Sequence, residues 1–158
     1  MLHDPKRDKP RWEISHVPPK VLSAVWPQLQ PMVERALKHG AGDTITELEL
    51  IRGLAHGAMQ LIVVHEGETI KAGMVLRVDQ RARGLVVVVL LMVGAGHRDY
   101  APRMQERLID YAKLIGAYSL ESIVRDGVVP IVEALGWKRK ATMMEYPIDG
   151  RSISTPSH

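Results

Sequence analysis

The feature of this sequence that most constrains its fold is a run of nine apolar residues, LVVVVLLMV, at positions 85–93. A run of this length is about half of what a membrane-spanning helix needs. A strand that is apolar on both faces needs cover on both, because either face would otherwise meet water. The run therefore predicts a strand inside a sheet that has helices on each side.

The other elements are predicted from the period of the apolar residues. They are, in chain order, strand 14–17, helix 18–39, a helix from Thr46, strands 61–64, 71–79 and 85–93, helix 101–115, strand 118–124, helix 128–135 and strand 137–148. This order, β-α-α-β-β-β-α-β-α-β, contains both hairpins and strand–helix–strand crossovers. It indicates an α/β sandwich with mixed strand directions.

Two local signals refine the first two helices. Thr46 and Glu49 form a capping-box pattern, which marks the start of the second helix. Pro27 and Pro31 are expected to break or restart the first helix, because proline lacks an N–H group and clashes with the preceding turn.

The composition fits a soluble globular chain with one domain. Its 158 residues include no cysteine, which excludes disulfides, thiolate zinc sites and cysteine nucleophiles. Residues 1–13 and 149–158 are polar and are predicted to be tails, with a single domain at residues 14–148. Because the N-terminus has no apolar stretch, the sequence predicts no secretory signal and a cytoplasmic location.

The basic residues and the histidines argue against a nucleic-acid-binding surface and against a metal site. The net charge is +3 and the basic residues are spread along the chain, whereas nucleic-acid-binding surfaces concentrate them. The seven histidines include no close pair, and neither an HExxH motif nor a carboxylate cluster is present, so no metal site is predicted.

Two segments carry patterns typical of a known superfamily. The strand at 85–93 runs into GAGHRD and a long amphipathic helix, and residues 131–140 have the sequence IVEALGWKRK. Both resemble the GCN5-related N-acetyltransferase (GNAT) superfamily: the first its acetyl-CoA strand, phosphate loop and helix, the second its late helix, Leu-Gly-aromatic turn and strand. The resemblance covers residues 14–148 and implies a GNAT-like mixed central sheet flanked by helices.

A third segment is similar to a narrower group. Residues 24–37, AVWPQLQPMVERAL, resemble the opening of small GNAT-fold proteins of tailed bacteriophages, in which a Trp-Pro pair begins the first helix. This resemblance implies a protein of the host cytoplasm that is also a candidate for incorporation into a virion.

The GNAT resemblance implies an acetyl-CoA site where two central strands splay apart. In the family the pantetheine pairs with the strand, and backbone N–H groups of the loop and helix N-terminus bind the pyrophosphate. The residues of this chain in those positions are Val93, Gly94, Ala95, Gly96, His97 and Arg98. The implied reaction is attack of an amine on the thioester, with a base that removes a proton and an acid that protonates the thiolate.

The phosphate loop departs from the family pattern, basic-x-x-Gly-x-Gly/Ala. Counted from Arg98, the pattern has Ala101 at the first glycine and Arg103 at the second small position, and Pro102 removes an N–H donor. Residues 94–96 are an alternative anion-binding nest, with His97 or Arg98 assisting. A simple flexible turn out of the buried strand is the other interpretation.

The candidate catalytic residues are few. The family's proton-donating tyrosine of the late helix corresponds to Val132, which carries no proton to donate. Glu121 is a candidate base if it faces the cleft, and a solvated strand residue otherwise. His97 is a candidate base or phosphate partner, or polar surface. Tyr146, on the last predicted strand, either shapes a substrate pocket or packs against its neighbours.

Two principal functions follow from these features. The first is a divergent or inactive acyltransferase scaffold that acts with other protein subunits, as a virion-associated or assembly component. The alternative is an acetyl-CoA-dependent N-acetyltransferase that modifies a protein or a small amine. Neither requires a membrane or a metal. Because fold alone does not transmit activity, the site must decide between them.

Overall fold

The computed structural model describes residues 11–39 and 45–148. The helices are α1 (Leu22–Lys38), α2 (Glu47–Ala55), α3 (His97–Ile115) and α4 (Val129–Ala134), and the strands are β1 (Glu13–Val17), β2 (Met59–Glu66), β3 (Thr69–Arg81), β4 (Gly84–Gly94) and β5 (Ser119–Ser122). Single 3-10 turns precede α1 and α4. The predicted order is confirmed as far as α4.

The sheet has five strands in the order β1-β2-β3-β4-β5. The first four are antiparallel to their neighbours, and β5 runs parallel to β4 after the crossover through α3. This arrangement confirms the α/β class and the mixed sheet. None of the helices within the described ranges is long and apolar enough to cross a membrane.

Each face of the sheet is covered by its own hydrophobic cluster. On one face, Leu29 and Val33 of α1 pack with Leu91 and Val93 of β4. On the other face, α3 packs against the first half of β4, including Val87. The strand at 85–93 therefore contributes to both clusters, as a run that is apolar on both faces requires.

A bulge in β4 changes which face its side chains occupy. Val89 pairs with Leu76 and Leu91 pairs with Val75, so Leu90 has no partner on β3. An extra residue shifts the alternation of side chains by one and bends the strand. This bulge allows the first half of β4 to pack under α3 and the second half under α1.

The helix α1 differs from the prediction, because it continues through Pro27 and Pro31 without a break. Both prolines are exposed, and their spacing of four residues places them on the same side of the helix. Water can bond the carbonyls that lose their partners there, while Leu29 and Val33 hold the opposite side in the core. The expectation that the prolines break the helix was wrong.

The predicted last strand at residues 137–148 is also not formed, because these residues pair with no strand of the described structure. Alternating apolar residues indicate that a segment can be a strand, yet a strand also needs a neighbour to bond. The two predicted tails, residues 1–13 and 149–158, lie mostly outside the described residues. At the N-terminal boundary, β1 begins at Glu13, and the ring of Trp12 packs edge-on against Tyr100.

Candidate functional site

The candidate site begins where β4 loses its neighbour β5. The two strands pair over only four residues of each, from Val86 opposite Ser119 to Val89 opposite Ser122. Beyond that point β4 continues to Gly94 with β3 on one side only. We call the space beside residues 90–94 of β4 the wedge. Met92, in this part of β4, is 40% exposed.

The wedge offers a free backbone edge to a ligand. On the side away from β3, the N–H and C=O groups of residues 90–94 have no strand partner in the described structure. Such groups bond well to amides of an extended molecule, in the manner of strand addition. A narrow, linear, amide-containing ligand is therefore the kind that the wedge fits.

A short glycine loop closes the inner end of the wedge. Gly94 ends β4 and Gly96 caps α3, with φ angles of +93° and +82°. These left-handed conformations favour glycine strongly. A Cβ atom at Gly94 would also lie 2.5 Å from the carbonyl oxygen of Lys71, and one at Gly96 would lie 3.0 Å from the ring of Tyr100.

The helix that follows points its N-terminus at this loop. α3 has 19 residues, and the Gly96 carbonyl accepts hydrogen bonds from the N–H groups of Asp99 (3.0 Å) and Tyr100 (3.3 Å). The first N–H groups of a helix have no partners within it, and no side chain of the described residues caps this one. Together with the helix dipole they favour an anion at this position, and the exposed Arg98 adds a positive charge.

The start of α3 corrects the position of the phosphate loop. The helix was predicted from residue 101, whereas it begins at His97. A loop counted from Arg98 is therefore wrong, because residues 98–103 form the first turns of the helix. Gly94 and Gly96 have the glycine spacing of the family pattern, with Leu91 at the basic position. The alternative at residues 94–96 is the one that lies between strand and helix.

His97, the first residue of α3, carries a buried ring nitrogen. Its Nδ1 makes no hydrogen bond within the described residues. Burial lowers the pKa of the ring, and the nearby backbone of Gly94 opposes this effect only in part. His97 is therefore neutral at pH 7, so the positive charge at the loop comes from Arg98 and the helix N-terminus.

This burial predicts a pH dependence of stability. Below the ordinary histidine pKa of about 6.5, the unfolded chain takes up a proton that folded His97 resists. The free energy of unfolding therefore decreases as the pH is lowered. We expect His97→Gln to weaken this dependence, measured by urea unfolding at pH 5.5 and 7.5. The exposed His56→Gln serves as control and should behave as the wild type. Equal slopes for all three proteins would contradict the prediction.

Glu121 lies in a network of ion pairs rather than in open solvent. Its carboxylate oxygens are 3.1 Å from Arg81 Nη1 and 2.6 Å from Lys140 Nζ. Arg81 also contacts Asp79, at 3.3 Å, and Asp79 accepts a 2.7 Å hydrogen bond from Arg77. We call these five residues the charged network.

The charged network lies on the α1 face of the sheet, beside the wedge. Arg77, Val88 and Glu121 form one row across β3, β4 and β5. Alternation along the strands places Arg77 with Val75, which packs under α1, and places Glu121 opposite Leu120, which packs under α3. Val88 precedes the bulge residue Leu90 by about 7 Å of strand. Glu121 therefore lies on the α1 face, next to the point where β4 and β5 separate and the wedge begins.

The ion pairs keep both carboxylates of the network charged. The Lys140 ammonium, and then the Arg81 guanidinium, hold the pKa of Glu121 below its ordinary value. Arg77 does the same for Asp79. Glu121 is thus ionised but weakly basic. It is better suited to bind a cationic amine than to take a proton from it.

Tyr146, the other predicted catalytic residue, lies in no pocket of the described structure. Tyr146 is 87% exposed and belongs to no strand, so in this conformation it forms no wall of a pocket. Val132 lies in α4, and its carbonyl accepts a hydrogen bond from the N–H of Trp137. Among the described residues no group of three His, Asp or Glu side chains is placed to hold a metal.

Gln105, which links α3 to the turn after α4, was missed by the sequence analysis. The side-chain amide of Gln105 donates to the carbonyl of Leu135 (2.8 Å), and its oxygen accepts from Trp137 Nε1 (2.7 Å). These bonds attach the Leu-Gly-Trp turn after α4 to α3. No pattern in the sequence distinguishes Gln105 from other polar residues of an amphipathic helix.

Comparison with known proteins depends on structure alone. No protein-family model matches the sequence, and no curated protein matches it significantly. An aminoglycoside acetyltransferase from an uncultured soil metagenomic sample matches with a TM-score of 0.66 at 9% identity, over 87% of this chain and 97% of that chain. A predicted acetyltransferase with acetyl-CoA from Clostridium acetobutylicum gives 0.63 at 12% identity, over 86% and 96%.

A third match names the superfamily. A GCN5-related N-acetyltransferase from Ralstonia eutropha gives a TM-score of 0.62 at 19% identity, over 88% of this chain and 99% of that chain. Identities this low show the fold alone. The chain thus has the fold of GNAT acetyltransferases, and the three structures give no support to the bacteriophage resemblance of residues 24–37.

Proposed function

We propose that this chain binds acetyl-CoA in the wedge and transfers the acetyl group to an amine. The proposal rests on three features that follow one another directly along the chain. The free edge of β4 leads directly into a loop with two left-handed glycines and then into the uncapped N-terminus of α3. A linear molecule with amides at one end and phosphates at the other matches this sequence of groups.

The residues present fit such a molecule. The backbone of residues 90–93 would pair with its amides, as an added strand does. The N–H groups of residues 94–98 and the side chain of Arg98 would hold its phosphates. A Cβ atom at position 94 would meet the β3 backbone and one at position 96 would meet the ring of Tyr100, so glycine at both positions keeps the loop in this shape. When bound, acetyl-CoA supplies an acyl thioester that an amine can attack.

The acceptor amine would approach from the α1 face, where the charged network lies. The Glu121 carboxylate attracts an ammonium group and passes its proton to water, since its low pKa does not favour keeping it. Val132 offers no proton for the thiol that leaves, so that proton comes from solvent. We therefore expect slow transfer. The acetyltransferase neighbours support this function by analogy of fold only.

Calorimetric titration with acetyl-CoA tests the binding half of the proposal. We expect Gly96→Ala to weaken the affinity by about tenfold or more, because its methyl group strains the loop and meets Tyr100. Gly57→Ala is the matched control: Gly57 also has a positive φ, but open space surrounds it in the turn before β2. Binding that both variants retain equally would place acetyl-CoA elsewhere.

Release of coenzyme thiol tests the transfer half. Because the chain has no cysteine, a thiol reagent detects product without a background from the protein. Thiol release that depends on an added amine supports the enzyme. Binding without release under any amine indicates a scaffold that keeps the ligand site.

A non-catalytic assembly component is our second candidate. The observations that favour it are the missing proton donor at Val132 and the ion pairs that occupy Glu121. This role requires other protein subunits as partners. Absence of acetyl-CoA binding, together with stoichiometric co-sedimentation with virus particles, would favour it over the enzyme.

A further inference from the structure

We propose that Lys140 is an acetylation site of this chain, modified by its own acetyl-CoA. The inference rests on the proposed function and adds an acceptor to it. Its basis is the contact between Lys140 Nζ and the Glu121 carboxylate, at 2.6 Å, next to the point where the wedge begins.

Lys140 occupies the position beside Glu121 that the proposed function gives to the acceptor amine. Its ammonium is held by the carboxylate that an external amine would otherwise meet. Glu121 stands level with Val88, about 7 Å of strand before the edge of β4 becomes free. The Lys140 side chain is 67% exposed, so it can swing over that distance while its backbone stays in place.

Three of the other lysines of the described residues lack this placement. Lys38 pairs with Glu34 on α1, and Lys71 pairs with Glu66 at the opposite end of the β2–β3 hairpin from the charged network. Lys138 belongs to the same segment as Lys140 and is exposed, but it makes no ion pair among the described residues. Lys138 is therefore the natural internal control.

The step balances with acetyl-CoA as the only co-reactant. The Lys140 ammonium first gives one proton to water by way of Glu121, which leaves a neutral amine. A nitrogen–carbon bond then forms to the acyl carbon as the carbon–sulfur bond breaks. The nitrogen gives its second proton to water and the departing thiolate takes one from water, giving an amide and a free thiol.

Acetylation would change the charged network. An amide carries no charge, so Glu121 would keep Arg81 as its only cation among the network residues that contact it. Its pKa would rise toward the ordinary value, because Lys140 is the largest cause of the present depression. Acetylation would also remove the ion pair that attaches residues 138–148 to β5. The modified protein would thus offer a freer and more basic Glu121 to a second amine.

The experiment is a mass-spectrometric time course of the full chain with acetyl-CoA. We expect Lys140 to be acetylated at least about tenfold faster than Lys138, since the wedge holds the reactants together. The rate should saturate with acetyl-CoA and be independent of protein concentration, as a reaction within one chain requires. Gly96→Ala should abolish the difference between the two lysines. Lys140→Arg, which keeps the positive charge beside Glu121, should lose the fast modification alone.

Two results would overturn the inference, and they are distinguishable. If acetyl-CoA binds and thiol release from an added amine is observed, but Lys140 reacts no faster than Lys138, the self-acetylation is wrong and the proposed function stands. If calorimetry detects no acetyl-CoA binding, both are wrong. A rate that rises with protein concentration would show transfer between chains and overturn the intramolecular step.

Discussion

Replacement of Gly94 by alanine is expected to lower the free energy of unfolding by about 2–5 kcal/mol. The left-handed backbone at this residue contributes part of the loss, because its φ of +93° strains any residue with a Cβ. The larger part comes from contact with backbone: the new methyl would lie 2.5 Å from the Lys71 carbonyl oxygen and 2.7 Å from Ala72 Cα. Neither atom can move without displacing β3.

Urea unfolding of the variant, monitored beside Gly57→Ala, measures this effect. Gly57 has a φ of +76° and nothing near its missing Cβ, so its alanine variant reports the backbone strain alone, about 1 kcal/mol. The difference between the two variants isolates the close approach of β4 to β3. Equal losses would show that the end of β4 relaxes freely and that the loop does not depend on a fixed strand end.

Replacement of Glu121 by glutamine is expected to reduce acetyl transfer to an added amine by about a hundredfold, with the affinity for acetyl-CoA unchanged. The amide neither attracts an ammonium group nor accepts its proton, while the wedge and the loop at residues 94–96 stay as they are. Initial rates of thiol release give the turnover, and calorimetry gives the affinity. Stability should change little, because both cations that pair with Glu121 are exposed and such ion pairs contribute little to it.

Asp79→Asn is the matched control for this prediction. Asp79 is a second carboxylate of the charged network with a lowered pKa, but it lies on β3, and its ion pairs within the described residues are with Arg77 and Arg81. We expect its variant to retain turnover within about threefold. If both variants lose the same activity, the network as a whole matters through its charge. If neither loses activity, water alone removes the proton and Glu121 has no part in the transfer.

The sequence determined those features that depend on near neighbours in the chain. The run at 85–93 had to be a strand covered on both faces, because no other arrangement hides nine apolar residues in so short a segment. The start of α2 was equally local: Thr46 Oγ1 accepts a hydrogen bond from the N–H of Glu49, as the capping box predicts. The glycines at 94 and 96 were visible as one of two possible loops.

Only the tertiary structure decided what lies around these features. It set where β5 stops pairing with β4, and so where the wedge opens, and it began α3 at His97. It carried α1 through two prolines, left residues 137–148 without a strand partner, and brought Glu121 to Arg81 and Lys140. Each outcome depends on groups far apart in the chain. Local patterns fix what a segment can be, while its distant neighbours fix what it bonds to.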